Sequence, residues 1–419
     1  MRFTYRVKIG LFAFFFLLTV GINISPTVAD ELVPAEGEHF VIESVPDDVD
    51  LNHPYIPQTA EAWIAGLETA EESIKAGLFY IQEWEHGETD LDRVLEKIVE
   101  KSREGVEVEI LTDTAITKPP AYLDEEDNIE VRYSAYGEHS GGVMHAKYFI
   151  VDEELAYLGS ANLDWRSLEH IREVGLAINE PEIAADLNDI FEVDWQFAGE
   201  RGDEFWEEYT PFQDKTPYHE ITGETFSFSG EQEIKLTASP PQSTPPGVMR
   251  SDEALIKMIN TAENYLYMDI YEYDNWDFYA GKYWDELDRA IRRAEVRGVD
   301  VRILVPDWVL GGSSEKYLKS LAVLDGVEVK VMSLPQSEEW GFIPFARTTH
   351  PKLVIIDGDM AWLGSTNLSY NYFNSTRDID AVTRQAGVVD NLRTFFLTGY
   401  QSEYVELLKP EKDYRPPIR

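Results

Sequence analysis

Two histidines and two lysines carry the chemistry this chain could perform. His145-Ala146-Lys147-Tyr148-Phe149-Ile150-Val151-Asp152 is followed by Gly159-Ser160-Ala161-Asn162, and His350-Pro351-Lys352-Leu353-Val354-Ile355-Ile356-Asp357 by Gly364-Ser365-Thr366-Asn367. Equivalent positions keep one offset: 350 − 145, 352 − 147, 357 − 152, 365 − 160 and 367 − 162 all give 205. Further on, Glu173 and Asp378 also stand 205 apart. A lone H-x-K-x-x-x-x-D is a weak motif. A second copy in register, with G-S-x-N and an acid at the same distances, makes chance a poor explanation. His and Lys two apart on a strand point to one face. Two facing copies place two imidazoles and two ammoniums in one cleft. That set suits a phosphate, with cations for its oxygens and imidazoles for attack and proton transfer.

The elements that must hold these residues can be read around them. Tyr148-Phe149-Ile150-Val151 is the apolar, β-prone run of a buried strand. Phe40 to Pro46, Ile74 to Ile81, Val106 to Leu111, Ile129 to Tyr133, Leu155 to Leu158 and Val174 to Ile178 read as further strands. Ala62 to Ala70, Leu91 to Arg103 and Ile183 to Phe197 have helical apolar spacing. A Gly-rich loop, Gly137 to Gly142, leads into the first motif. Asp152 and Asp357 each end a strand, where a carboxylate commonly caps a turn, and are read as structural. His139 and His170 are expected to be surface or packing histidines.

The order then repeats. Ile234 to Ala238 opens a second round; Gly298 to Leu304 echoes Gly105 to Leu111, and Val327 to Lys330 echoes Ile129 to Arg132. The expected division is a domain over 30–208, a Thr-, Pro- and acid-rich linker over 209–233, and a second domain over 234–419. A basic start, an apolar run from Ile9 to Val20 and Thr27-Val28-Ala29 predict a cleaved secretory signal over 1–29. The product would be secreted or periplasmic; a retained N-terminal membrane anchor is the alternative.

Composition narrows the chemistry. With no cysteine, disulfides, thiolate zinc sites and cysteine nucleophiles are excluded. The eight histidines form no H-x-x-x-H pair, and no metal or cofactor is expected. Asp and Glu total 78 against 36 Lys and Arg, a net charge of −42, so a phosphate site must be a local positive pocket inside a negative shell. The second half carries a longer loop before its motif, with Trp340, Phe342, Phe345 and Arg347, which reads as a substrate lip or as interdomain packing.

The duplicated H-x-K-x-x-x-x-D…G-S-x-N resembles that of the phospholipase D superfamily, in both halves. Gly159-Ser160-Ala161-Asn162-Leu163-Asp164-Trp165-Arg166-Ser167-Leu168, Ser239-Pro240-Pro241 and Asn371-Tyr372-Phe373 are similar to the animal endolysosomal branch, which includes single-strand exonucleases acting from the 5′ end. The chain departs from that branch in its acidity and its lack of cysteine. The resemblance implies an α/β fold: two similar domains, each a mixed sheet flanked by helices, related by a pseudo-twofold axis. It also implies metal-independent phosphodiester chemistry through a phosphohistidine. His145 would be the nucleophile and His350 the acid and base, Lys147, Lys352, Asn162 and Asn367 would bind the non-bridging oxygens, and Ser160 and Ser365 would support the turns. Glu173 and Asp378 would accept from the far nitrogen of each imidazole; which acid serves which histidine is left open.

The expected protein is a monomeric, internally duplicated phosphodiesterase with no stable protein partner, phospholipid being the leading substrate and single-stranded nucleic acid the alternative. A catalytically silent binding or envelope protein is the reading from another class.

Overall fold

Alternation along the motif strands builds three apolar cores. In the computed structural model, which describes residues 32–209, 223–277 and 281–419, side chains of Tyr148 and Ile150 face one way and those of Phe149 and Val151 the other. Leu353 and Ile355, against Val354 and Ile356, do the same in the second half. The inward sets meet in one shared core with residues of both halves; the outward sets pack under two helices each. All five residues of each motif strand are buried, as expected of strands covered on both faces.

The first sheet contains β1 (Glu38–Ser44), β2 (Ser73–Leu78), β3 (Glu107–Thr112), β4 (Ile129–Tyr133), β5 (Lys147–Val151), β6 (Leu155–Gly159) and β7 (Glu173–Asn179) in the spatial order β1-β7-β6-β5-β2-β3-β4. The second repeats it with β8 (Ile234–Ser239), β9 (Tyr265–Ile270), β10 (Asp300–Pro306), β11 (Val327–Met332), β12 (Lys352–Ile356), β13 (Met360–Gly364) and β14 (Asp378–Thr383), in the order β8-β14-β13-β12-β9-β10-β11. Among these seven strands of each sheet the run β2-β3-β4 or β9-β10-β11 is parallel and the other pairings are antiparallel. Two short strands, Met249–Arg250 and Val405–Leu407, extend the edges of the second sheet.

Helices α1 (Thr59–Glu68) and α2 (Asp90–Glu104) cover the outer face of the first sheet, and α4 (Ser251–Thr261) and α5 (Glu286–Val296) that of the second. The inner helices α3 (Pro181–Phe197) and α6 (Ala386–Gln401) supply Leu187, Phe191, Phe395 and Phe396 to the shared core. Local signals explain the boundaries. Thr89 and Asp92 form a capping box at the start of α2, and Gly105, at φ 106, ends it in the left-handed region.

Asp152 and Asp357 sit just past the motif strands at φ 52 and φ 55. The Asp152 carboxylate accepts the backbone N–H groups of Glu71, Glu72 and Ser73, each at 2.8 Å. Asp357 accepts those of Glu263, Asn264 and Tyr265 at 2.7–2.8 Å. Each clamps the hairpin end to the start of the neighbouring strand.

Three expectations need revision or fall outside the described residues. The loop before the first motif contains a helical turn, Tyr136–His139. A short helix, Gly202–Glu208, and a longer one, Ser313–Ala322, were not anticipated. The signal segment 1–29 and most of the linker lie outside the described residues. Among those described, no helix is long and apolar enough to cross a membrane.

Candidate active site

The motif strands begin at Lys147 and Lys352, so the two histidines stand just ahead of the strand ends and not within them. What holds them is the other half of the chain. The backbone N–H of His145 donates to the carbonyl of Arg377, and that of His350 to the carbonyl of Arg172, both at 2.9 Å. The side chains cross over as well. His145 Nδ1 lies 2.7 Å from Asp378 Oδ1, and His350 Nδ1 lies 2.9 Å and 3.0 Å from the two oxygens of Glu173. Each half therefore supplies an imidazole and the carboxylate that orients the other half's imidazole. In both cases Nδ1 is the bonded nitrogen, which leaves Nε2 to face the cavity.

The serines complete each pair. Ser160 Oγ donates to Glu173 Oε2 at 2.6 Å and Ser365 Oγ to Asp378 Oδ1 at 2.8 Å. Ser160 also accepts the Val174 N–H, and Ser365 the Ile379 N–H, both at 3.1 Å. Gly159 abuts Gly175 so closely that a β-carbon there would overlap its backbone. Lys147 and Lys352 fold back to donate to the carbonyls of His145 and His350, the second at 2.7 Å. The ammonium of Lys147 lies over the Phe79 ring at 5.1 Å, and that of Lys352 over the Tyr271 ring at 4.9 Å.

Burial governs the electrostatics. Desolvation, reinforced by the neighbouring lysines, lowers the His145 imidazole well below its ordinary value. Desolvation also lowers His350, but the Glu173 carboxylate opposes the fall. Burial drives Lys147 far down and Lys352 down to about 7. A phosphate between the two lysines would reverse this, because its charge favours the ammonium form of both. Such a cluster is poised to accept an anion.

The cavity above these groups has a volume of about 400 Å3 and is lined by both histidines and both asparagines. Its walls are Phe79, Tyr80, Ile116, Tyr271, Trp308, Phe345 and Tyr372, with Arg166 as one further cation. The side-chain oxygens of Asn162 and Asn367 are buried without a hydrogen-bond partner.

The long loop of the second half divides between the two expectations, substrate lip and interdomain packing. Arg347 does not reach the cavity: its side chain is 1% exposed, pairs with Asp48 at 2.5 Å and donates to the Pro335 and Asp47 carbonyls. It ties the loop to the first domain. Trp340 packs against Trp84, Trp165 and His170 outside the cavity, and Phe342 is exposed but does not line it. Phe345 alone of the four lines the wall, 6.3 Å from Trp308. His170 is buried with neither ring nitrogen hydrogen-bonded, its Nε2 3.8 Å from Glu169, and His139 stacks on Trp206 at 4.9 Å.

Sequence reasoning missed Arg172 and Arg377, although they also stand 205 apart, immediately before the two acids. Both are fully buried and both bridge the halves. Arg377 makes a bidentate pair with Asp194 at 2.8 Å and bonds the Ser239 and Ser243 carbonyls; Arg172 pairs with Asp269 and bonds the Phe395 carbonyl. Their carbonyls hold the histidines, so these ion pairs align the site across the interface. Arg166 was also missed as a wall residue; Asp164 grips it at 2.8–3.1 Å.

A duplicated α/β fold with two His–Lys pairs on one cavity floor, each imidazole backed by a carboxylate, defines a phosphodiester-cleaving hydrolase. Comparison gives the family. The chain belongs to the phospholipase D superfamily: the family model described as "Cardiolipin synthase, PLD-like domain" matches residues 63–195 and again 255–398. Among curated proteins it is 31% identical over 397 residues to the Caenorhabditis elegans protein named "Probable phospholipase D F09G2.8", covering 87% of this chain and 70% of that one. It is 30% identical over 413 residues to the Homo sapiens protein named "5'-3' exonuclease PLD3", covering 90% of this chain and 82% of that one. The crystal structure of phosphatidylserine synthase from Haemophilus influenzae Rd KW20 has the same fold, with a TM-score of 0.59 at 14% identity over 84% of this chain and 85% of that one.

Proposed function

We propose that the chain hydrolyses a phosphodiester in two steps on His145, with single-stranded nucleic acid entering by one end as the substrate. The observation that carries the reaction is the crossed pairing of His145 with Asp378 and His350 with Glu173 around one cavity. In this reading Nε2 of His145 attacks phosphorus while His350 gives its proton to the leaving oxygen. The phosphohistidine is then opened by a water that His350 deprotonates. Lys147 and Lys352 neutralise the non-bridging oxygens, and Asn162 and Asn367 turn their amides to donate to them. Asp378 and Glu173 hold each imidazole in the tautomer that exposes Nε2. The remaining motif residues act on the scaffold.

Two features support a nucleic-acid end. The walls present six aromatic rings and a cationic side chain near the reacting centre, which suits stacking of a base beside a phosphate. Relatives named as exonucleases share 30% identity across most of their length. Phospholipid remains the second reading, favoured by the net charge of −42, which repels a polyanion, and by the exposed Ile116 and Phe345 at the cavity. Export through the N-terminal segment fits either substrate.

One experiment separates them. The purified protein in EDTA is offered single-stranded DNA and phosphatidylcholine vesicles in parallel. Release of mononucleotides with intact lipid supports the first reading; choline release alone replaces it with the second. Activity lost in EDTA and restored by a divalent ion would remove the histidine mechanism altogether.

A further inference from the structure

The two halves of the floor differ at three linked positions. Where the first half has Gly175, Ala161 and Thr59, the second has Asp380, Thr366 and Ser251 (380 − 175 and 366 − 161 give 205; 251 − 59 gives 192). Asp380 is fully buried two residues along β14 from Asp378, on the same face. The space for its carboxylate exists because Gly364 has no β-carbon; one built there would overlap Oδ1. Its oxygens accept from Ser251 Oγ at 2.6 Å, Thr366 Oγ1 at 2.7 Å and the Thr366 N–H at 3.0 Å. Both halves have the glycine, Gly159 or Gly364, but only the second fills the space beside it with a carboxylate and sets the Thr366 hydroxyl against it.

We propose that Asp380 is a positioning residue that assigns the two histidines different jobs: as a second buried carboxylate on the strand face of Asp378 it competes with that residue for ionisation and denies His145 a full counter-charge, keeping that imidazole neutral for attack, while His350 faces the undivided carboxylate of Glu173. The proposal rests on the two-step reading above. Two adjacent buried carboxylates cannot both ionise readily. Burial raises Asp378 to about 6, and burial with the Asp378 charge raises Asp380 to about 7. Against that order, the hydrogen-bond donors favour charge on Asp380, which takes three. Asp378 Oδ1 takes the Ser365 hydroxyl and the imidazole N–H, and Oδ2 has no partner, so a proton on Asp378 would sit on Oδ2. The other groups facing the pair are Lys147 and Lys352, which draw charge toward Asp378, and Arg377, which is committed to Asp194. From β8 the neighbour is Thr237, bonded to Ser251.

The contrast with the other half is direct. Beside Glu173, Gly175 occupies the place of Asp380, and both Glu173 oxygens reach Nδ1 of His350. Its full charge supports an imidazolium on residue 350, the form that protonates a leaving group.

The test uses the full-length protein and bis(4-nitrophenyl) phosphate, whose leaving group needs little protonation. The acid limb of kcat/KM then reports loss of the proton from the attacking imidazole. In Asp380→Asn, an isosteric change, Asp378 keeps its whole charge and raises the proton affinity of His145. The acid limb moves up by about half to one pH unit. Thr366→Ala, which restores the residue of the first half and removes one donor from Asp380, moves it the same way by less. If Asp380 only holds the loop, rates fall with the limb unmoved; if it is fully ionised in the native protein, the limb moves down. Either result overturns the proposal. Mass spectrometry of the quenched native reaction is the separate check. A phosphoryl group absent from residue 145 removes the two-step reading and the proposal with it, whereas an adduct on 145 with an unmoved limb removes the proposal alone. If Asp380→Asn does not fold, Thr366→Ala decides.

Discussion

At and beneath the cavity floor His145 and His350, Lys147 and Lys352, Ser160 and Ser365, and Asn162 and Asn367 repeat at one offset, whereas the walls set Phe79 against Tyr271 and Ile116 against Trp308, and Tyr372 lines the cavity where its counterpart Ser167 does not. The chemistry explains the first pattern. Displacement at phosphorus needs one group on the attacking side, one on the leaving side and cations between, and two facing copies of one motif provide that. The substrate explains the second. Its two sides differ, so nothing holds the walls to twofold symmetry. The Tyr372 and His145 rings meet in a T-shaped contact with centroids 5.0 Å apart, while the equivalent Ser167 has no ring to offer His350.

The largest effect separates the two floor histidines, which the geometry makes near-equivalent. With a nitrophenyl diester, His350→Ala should still be phosphorylated, and the adduct should accumulate on residue 145, because the base for the second step is gone. His145→Ala should form no adduct, and turnover should fall by at least about 10²–10⁴-fold. Mass spectrometry of the quenched protein reads this; an adduct on residue 350 in His145→Ala would reverse the roles.

The crossed acids sharpen the same contrast. If each carboxylate serves the histidine of the opposite half, Asp378→Asn should resemble a weakened His145 variant, slow to form the adduct. Glu173→Gln should resemble a weakened His350 variant, forming it normally with the good leaving group but resolving it slowly. Loss of about 10–10²-fold in the affected step is expected. Burst kinetics distinguish the steps. Pairing within each half would produce the opposite assignment.

How far the sequence revealed this arrangement depends on which interactions repeat. The order of strands and helices could be read because apolar alternation and the G-S-x-N turns are local signals, and they recur twice. The pairing of His145 with Asp378 could not, because both acids sit at the same distance past their motif and either could serve either imidazole. Choosing between them needs the exchange at the interface, where the Met144 backbone meets Arg377 and that of Thr349 meets Arg172. The arginine latches did repeat, but a single Arg before an acid carries no distinctive pattern. The choice for Arg347 between substrate lip and interdomain packing stayed open for a related reason. Beside three aromatics it reads as a ligand group, and only Asp48, 299 residues away, shows that its charge is already taken.

The smallest effect lies at the wall and tests that last distinction. Phe345 is 57% exposed yet lines the cavity, and it contacts the Trp308 ring at its edge. Nothing in the core depends on it, so Phe345→Ala should leave the melting temperature within about 1 °C and kcat nearly unchanged. It should raise KM severalfold for a substrate with a base or acyl chain beside the phosphate, since one stacking contact is worth about 1–3 kcal/mol. A small nitrophenyl diester should feel less of this. Arg347→Ala should do the reverse. It leaves Asp48 without its counter-charge and the Pro335 carbonyl without its donor, so the protein should melt several degrees lower. At a temperature where it stays folded, its KM for the same substrate should change less than that of Phe345→Ala. Matched titrations of the two variants read both quantities. If Arg347→Ala raised KM as much as Phe345→Ala with no loss of stability, the Arg347 charge would belong to the substrate after all, and the division of this loop into one wall residue and one strut would be wrong.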